Sequence, residues 1–161
     1  MVELSDRLAG KRILLGVTGS IAAYKAVDIL RRLQERGAEV RVAMTKIAEH
    51  FVSRLTFEAI SGRAVLFDEF RGDGRSAIGH IEITEGLDAA LIAPATANII
   101  GKIAAGIADD ALTSALMARD CPLLIAPAMN DRMYRNPVLQ RNIRALKELG
   151  VRFIEPETGS L

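Results

Sequence analysis

The sequence predicts an α/β fold, a three-layer α/β/α arrangement on a parallel sheet of five or six strands. Three observations carry this. Short apolar runs alternate with helix-spaced patterns from one end of the chain to the other. Those runs are continuously apolar, as strands covered on both faces are. The connections are short, and strand–helix–strand units of that kind make right-handed parallel crossovers.

Arg12–Val17 is a compact apolar run and the first predicted strand. Over Ser20 to Arg36, the residues Ala22, Ala26, Ile29, Leu30 and Leu33 share one helical face. Lys25, Asp28, Arg32 and Glu35 lie off that face, and Gly37 supplies the stop. Glu39–Met44 opens with β-branched alternation and is the second strand, while Ala64–Phe67 is weaker and reads as a short edge strand. Leu87–Ala93 and Cys121–Ala126 are the next two strands, and Val151–Ile154 is the last. Before it, Asn136 caps a helix, Pro137 takes its first position, and Leu139, Ile143 and Leu146 form an inner stripe ending at Gly150. No repeat, low-complexity tract or linker interrupts the chain, so residues 1–161 read as one domain.

Composition narrows the function. Apolar residues make up 50% and charged residues 25% of the 161, enough for a packed core. The charge balance of 21 basic against 20 acidic residues lacks the footprint of a nucleic-acid binder. Aromatics at 4%, with no Trp, supply few stacking platforms. A single cysteine forms no internal disulfide, which agrees with a reducing compartment. The apolar stretch Leu87–Ala97 is broken by Asp88 and Pro94 and is too short to span a bilayer. Met1–Lys11 is polar, without a signal-peptide core. The expectation is a soluble, cytoplasmic domain with neither a nucleic-acid nor a membrane partner.

Open parallel sheets bind ligands beyond the carboxyl ends of their strands, where strand order reverses. Four segments fall at such ends. Gly16–Ser20 has glycines that let backbone approach a ligand, and Ser20 can cap the following helix while free amides face an anion. The full dinucleotide and P-loop patterns are missing, and a glycine turn serving packing alone fits equally. After the second strand, Thr45 can give its hydroxyl to a phosphate or cap the next helix. In Ala93–Asn98, small residues leave room for a flat ligand and Thr96 and Asn98 offer polar groups; Thr96 is equally a helix cap. In Ala126–Tyr134, Asn130 can bind a carboxylate, and Met129 and Met133 give adaptable apolar contact. Turn chemistry explains Asn130-Asp131 too, and core filling explains the methionines.

His50 reads as a surface or half-buried helix residue, and His80, just before Ile81-Glu-Ile83, is structural or catalytic. Asp109-Asp110 reads as a helix cap rather than a metal site, because no His or Cys cluster accompanies it. Cys121 reads as a small hydrophobe at the start of a buried strand.

Taken together, five pieces resemble the flavin-dependent cysteine decarboxylases, in particular the phosphopantothenoylcysteine decarboxylase part of bacterial bifunctional coenzyme A biosynthesis enzymes. They are Gly19–Lys25, Thr56-Phe57 with Ser61-Gly62, His80–Ile83, Pro94–Asn98 and Pro127–Tyr134, in family order over nearly the whole chain. The last is similar to the substrate-recognition motif that separates these decarboxylases from flavin prenyltransferases. The resemblance implies a Rossmann-like flavoprotein that binds FMN. Gly19, Ser20 and Ile21 would hold the flavin phosphate region with Thr45 assisting. Thr96, Ala97 and Asn98 would line the flavin, with Ala128 near it. His80 is carried over as the catalytic histidine, and Asn130 as the residue gripping the substrate's cysteine carboxylate, with Met129 and Met133 beside it.

The implied reaction has FMN oxidise the cysteinyl group to a thioaldehyde, so that carbon dioxide leaves an enethiol. Reduced flavin then returns the electrons to give 4′-phosphopantetheine. The resemblance also implies a homotrimer with flavin between subunits, and often a dodecamer.

Ile99 departs from the family's usual Thr, and Tyr134 from its usual Trp. Glu157–Leu161 is similar to the start of the family's substrate flap, whose cysteine is expected just beyond Leu161. Sequence therefore predicts a chain that stalls at the enethiol, ending before the flap and a following ligase domain. A lantibiotic-type peptidyl-cysteine decarboxylase and a non-catalytic regulatory flavoprotein are the alternative readings.

Overall fold

The computed structural model describes residues 7–68, 79 and 81–156. Its core is a five-stranded parallel sheet, with strands β1 (Arg12–Val17), β2 (Glu39–Met44), β3 (Ala89–Ala95), β4 (Leu123–Pro127) and β5 (Arg152–Phe153). Their order is β2-β1-β3-β4-β5. Helices α1 (Lys25–Glu35), α2 (Arg54–Ser61), α3 (Ala97–Ala105), α4 (Ala111–Ala118), α5 (Asp131–Tyr134) and α6 (Pro137–Glu148) connect them.

Strand alternation sorts the buried side chains into two cores, one on each face of the sheet. Ile13, Leu15 and Val17 of β1 and Val40, Val42 and Met44 of β2 pack with Leu30 of α1 and Phe57 of α2. On the opposite face, Leu14, Ile92 and Ile125 pack with Ile100 of α3, Leu112 of α4 and Ile143 of α6. The three-layer α/β/α prediction therefore holds.

The first two strands and the last long helix match their predicted spans, and Asn136 Oδ1 accepts from the Val138 N–H at 2.9 Å as the expected cap. The middle strands begin two residues later than the apolar runs suggest. Asp88 starts the approach to β1: its N–H donates to the Arg12 carbonyl at 2.8 Å, but the Arg12 N–H goes to the Asp88 carboxylate at 2.8 Å, which also accepts the Lys11 ammonium at 3.0 Å. The bonds to the carboxylate lower the Asp88 pKa, the one from the Arg12 backbone most. At β4, Cys121 and Pro122 stay outside the strand, and Cys121 packs half-buried against the α3/α4/α6 core. Pro94 lies inside β3 and lacks an N–H, and the β3–β4 register shifts between Ile92 and Ala95. The predicted edge strand at Ala64–Phe67 shrinks to one parallel bridge, Ala43 to Leu66, with hydrogen bonds of 2.9 and 3.0 Å to β2.

Ahead of α1, Ile21–Tyr24 forms a tight 3-10 turn. Three residues per turn shift the helical phase, so Ala23 rather than Ala22 is fully buried.

Two packing details generate predictions. A Cβ on Gly16 would lie 2.6 Å from Ile92 Cδ1 and 2.9 Å from Leu112 Cδ1, so this glycine serves core packing. Gly16→Ala is expected to cost about 1–3 kcal/mol by overpacking, read from urea unfolding. Arg41 of β2 reaches across to the turn that precedes β3. Its Nη1 donates to the carbonyls of Glu82, Ile83 and Glu85 at 3.1, 2.9 and 3.0 Å. Arg41→Met should cost about 1–2 kcal/mol in the same assay, and no change would show that water replaces all three bonds.

Candidate functional site

Strand order reverses between β1 and β3, and a cleft of about 590 Å³ opens there, within the size range of small-molecule sites. Its walls come from three strand ends. Thr18 and Gly19 follow β1, Thr45, Lys46 and Ile47 follow β2, and Thr96, Ala97 and Asn98 follow β3. Met133 of α5 also lines it, as do Asp68, Lys102 and Asp110.

A buried hydroxyl holds the first and third strand ends together. Thr18 is 1% exposed; its Oγ1 donates to the Pro94 carbonyl at 2.6 Å and accepts the Thr96 N–H at 3.1 Å. The next residue has no room for a side chain. A Cβ on Gly19 would run into the Ile47 side chain and come within 3.3 Å of the Ile47 carbonyl carbon. The β1 and β2 exits therefore touch backbone to side chain, and only glycine permits it.

Around this junction the backbone is short of acceptors. The amides of Gly19, Lys46, Ile47, Ala97 and Asn98 have none among the described residues. Thr45 Oγ1 accepts from the Ala48 N–H at 3.3 Å, and Thr96 Oγ1 from the Ile99 N–H at 3.2 Å. Both hydroxyls thus act as caps and still keep a proton to donate. With the helix α3 dipole and the Lys46 ammonium, these groups suit an anion such as a phosphate.

The helix α4 start is different. Asp68 Oδ1 already accepts the Ala111 N–H at 2.8 Å, and Asp110 Oδ1 accepts the Thr113 N–H at 2.7 Å in a capping box. Protein carboxylates occupy this helix end, so an anion is directed to α3 instead. Of Asp109-Asp110, read as a cap in the sequence, Asp110 is the cap and Asp109 pairs with Lys102.

Among the predicted site residues, Gly19, Thr45, Thr96, Ala97, Asn98 and Met133 line the cleft. Ser20 and Ile21 do not line it. Ser20 Oγ accepts the Ala22 N–H at 3.2 Å, and Ile21 is exposed at the start of the 3-10 turn. Ala128, Met129 and Asn130 form the β4 exit, also off the cleft wall. There the Ala128 N–H donates to the Ala95 carbonyl at 3.0 Å, tying this exit to that of β3. Met129 packs against the α3/α4/α6 core. Asn130 Oδ1 accepts the Met133 N–H at 2.9 Å as the α5 cap, leaving its exposed amide group to donate. Ile99, the departure from Thr, is buried in the core and also borders the cleft. His80 and the Glu157–Leu161 segment lie outside the described residues.

Sequence reasoning missed Thr18, Lys46, Asp68 and Lys102. A polar residue between an apolar strand and a glycine was the available signal for Thr18; the others become site residues only through distant contacts. Lys102 Nζ sits 2.8 Å from Asp109 Oδ1 and 3.9 Å from Asp110 Oδ2. The Asp109 hydrogen bond raises the Lys102 pKa, and the same bond lowers that of Asp109. The lysine's share of stability is present below its unfolded pKa and lost as pH rises through the higher folded value. The aspartate's share is present above its unfolded pKa and lost as pH falls through the lower folded value. The pair is therefore intact across the neutral range. Asp109→Asn should lower the Lys102 pKa, followed by NMR titration of its side chain; an unchanged value would show that the pair does not form in solution.

The whole chain, residues 1–161, matches the family model described as Flavoprotein. It is 48% identical over 152 residues to the coenzyme A biosynthesis bifunctional protein CoaBC of Vibrio vulnificus strain YJ016, covering 94% of this chain and 38% of that protein. The chain thus spans less than half the length of the curated relatives it matches. Among solved structures, the FMN-dependent cysteine decarboxylase SpaF superposes with a TM-score of 0.86 at 37% identity, covering 94% of this chain and 87% of SpaF. A PPC decarboxylase mutant complexed with pantothenoylaminoethenethiol superposes with a TM-score of 0.81 at 38% identity, covering 92% and 83%. The chain belongs to the flavoprotein family, among relatives that include cysteine decarboxylases.

Proposed function

We propose that the chain is the FMN-dependent decarboxylase part of a protein that converts phosphopantothenoylcysteine to 4′-phosphopantetheine in coenzyme A biosynthesis. The observation that carries it is the switch-point cleft, where five unmet amides and Lys46 converge within a chain 48% identical to a coenzyme A biosynthesis protein. That donor set fits the phosphate of FMN, and Ala97 and the Thr96 and Asn98 side chains fit a flat ring system. FMN, when bound, supplies a two-electron oxidation that is later reversed.

The chain's own residues supply orientation. Gly19, Thr45 and Lys46, with the Ala97 and Asn98 amides, neutralise and hold the phosphate, and Ser20 and Ile21 continue the turn that carries Gly19. Thr96, Ala97 and Asn98 line the ring system, with Ala128 near it. Asn130 donates its free amide to the substrate's cysteine carboxylate, and Met129 and Met133 exclude water around it. His80 serves the oxidation half of the reaction.

The reading includes a homotrimer, further assembled to a dodecamer, with the cofactor between subunits. Ile21, Tyr24, Ile47, Phe51 and Leu55 support it, because these large apolar side chains are 46–67% exposed in the single chain. It also includes a cytoplasmic location and membership of a bifunctional decarboxylase/ligase, as in the relatives that carry that description.

A second reading, peptidyl-cysteine decarboxylation, is favoured by the likeness to the peptidyl-cysteine decarboxylase EpiD, which superposes with a TM-score of 0.80 at 31% identity. The visible spectrum tests both. The purified chain should be yellow with FMN and should bleach anaerobically on addition of phosphopantothenoylcysteine. Bleaching only by a peptide with carboxy-terminal cysteine would favour the second reading, and a protein that stays colourless when offered FMN would remove both. His80→Asn and Asn130→Asp should each keep FMN and lose bleaching. In the second variant the new carboxylate repels that of the substrate, so normal substrate binding would undo the Asn130 assignment.

A further inference from the structure

We propose that Thr18 is a positioning residue for the cofactor, setting the distance between the two groups of amides that receive its phosphate. This rests on the reading of the cleft as an FMN site. The Thr18 hydroxyl has one proton, and it goes to the Pro94 carbonyl at 2.6 Å; a lone pair accepts the Thr96 N–H at 3.1 Å. Its own carbonyl accepts the Ser20 N–H at 2.9 Å, which shapes the turn carrying Gly19. One residue thus ties the β1 exit to the β3 exit at two points and folds the β1 exit on itself.

The groups it positions are adjacent in sequence to those it binds. Gly19 follows Thr18 directly, and Ala97 and Asn98 follow Thr96, whose own hydroxyl caps α3 through the Ile99 N–H at 3.2 Å. The unmet amides therefore sit on two short arms held by a common hydroxyl. Burial makes the arrangement rigid, since water cannot replace either bond at a residue 1% exposed. Thr18 itself offers nothing further to a ligand, because its proton is already used. It acts through Gly19, Ala97 and Asn98.

Thr18→Val keeps the shape and removes the hydroxyl, whereas Thr18→Ser keeps the hydroxyl and removes a methyl. The apo chain of each is titrated with FMN, following quenching of flavin fluorescence, and urea unfolding of the apo forms is measured alongside. Thr18→Val should raise the FMN Kd about tenfold, equivalent to about 1.4 kcal/mol, while Thr18→Ser restores binding close to that of the parent. A loss of stability alone would lower the urea midpoint of Thr18→Val without changing its FMN Kd, and that result overturns the proposal. If Thr18→Val does not fold, hydrogen exchange of the Thr96 amide in the parent chain decides. Protection like that of the β1 amides supports the clamp, and exchange at the rate of an exposed loop overturns it. A parent chain that does not bind FMN removes the functional reading and this proposal together; a parent that binds, with Thr18→Val binding equally well, removes the proposal alone.

Discussion

Parallel strands with crossovers on opposite faces must part company where their order reverses, and in this chain that happens between β1 and β3. The loops leaving those two strands run toward different layers, and the gap between them is the cleft. Without a link across it, the β1 exit would be tied only to that of β2 and the β3 exit only to that of β4. Thr18 supplies the link from inside the protein, where a hydroxyl meeting a carbonyl and an amide is worth far more than on the surface. Packing reinforces it from both faces, with Val17 in the α1/α2 core and Ile99 and Ile100 in the other.

Charge then decides which helix end stays open. Both α3 and α4 begin near the cleft with partially positive amino termini. At α4 the protein meets its own amides with Asp68 and Asp110, and Lys102 balances the acids on that side. At α3 the cap is a neutral threonine hydroxyl, so the dipole is left uncompensated and two amides remain unmet. A ligand with one anionic end thus has a single preferred orientation along the cleft. That asymmetry is compatible with a phosphate-bearing cofactor held at one end and a reactive centre toward Met133 and the β4 exit.

Helix caps were legible in the sequence because they are local. Ser20, Thr96, Asp110 and Asn136 each accept from an amide two or three residues ahead, and Asn130, which reads in sequence as a turn, does the same. For Thr96 and Asn130 a local role and a ligand contact are compatible in the structure, since capping uses an oxygen lone pair and leaves donors free. The strand limits were less legible. The apolar runs overshoot the amino ends of β3 and β4, where Asp88 is taken by the first strand and Pro122 cannot donate to a ladder.

The sequence by itself determined the class of fold, the two-faced burial of the sheet and the strand ends at which a ligand is received. Periodicity of 2 and 3.6 residues and capping chemistry act over a few positions, so a linear reading reaches them. Only the tertiary structure decided which of those strand ends share a cleft and which side chains hold it. The Thr18 hydroxyl meets residues 76 and 78 positions away, Asp68 meets an amide 43 positions away, and Arg41 gathers carbonyls 41 to 44 positions away. Such partners are chosen by strand order and register, which are properties of the assembled sheet rather than of any one segment.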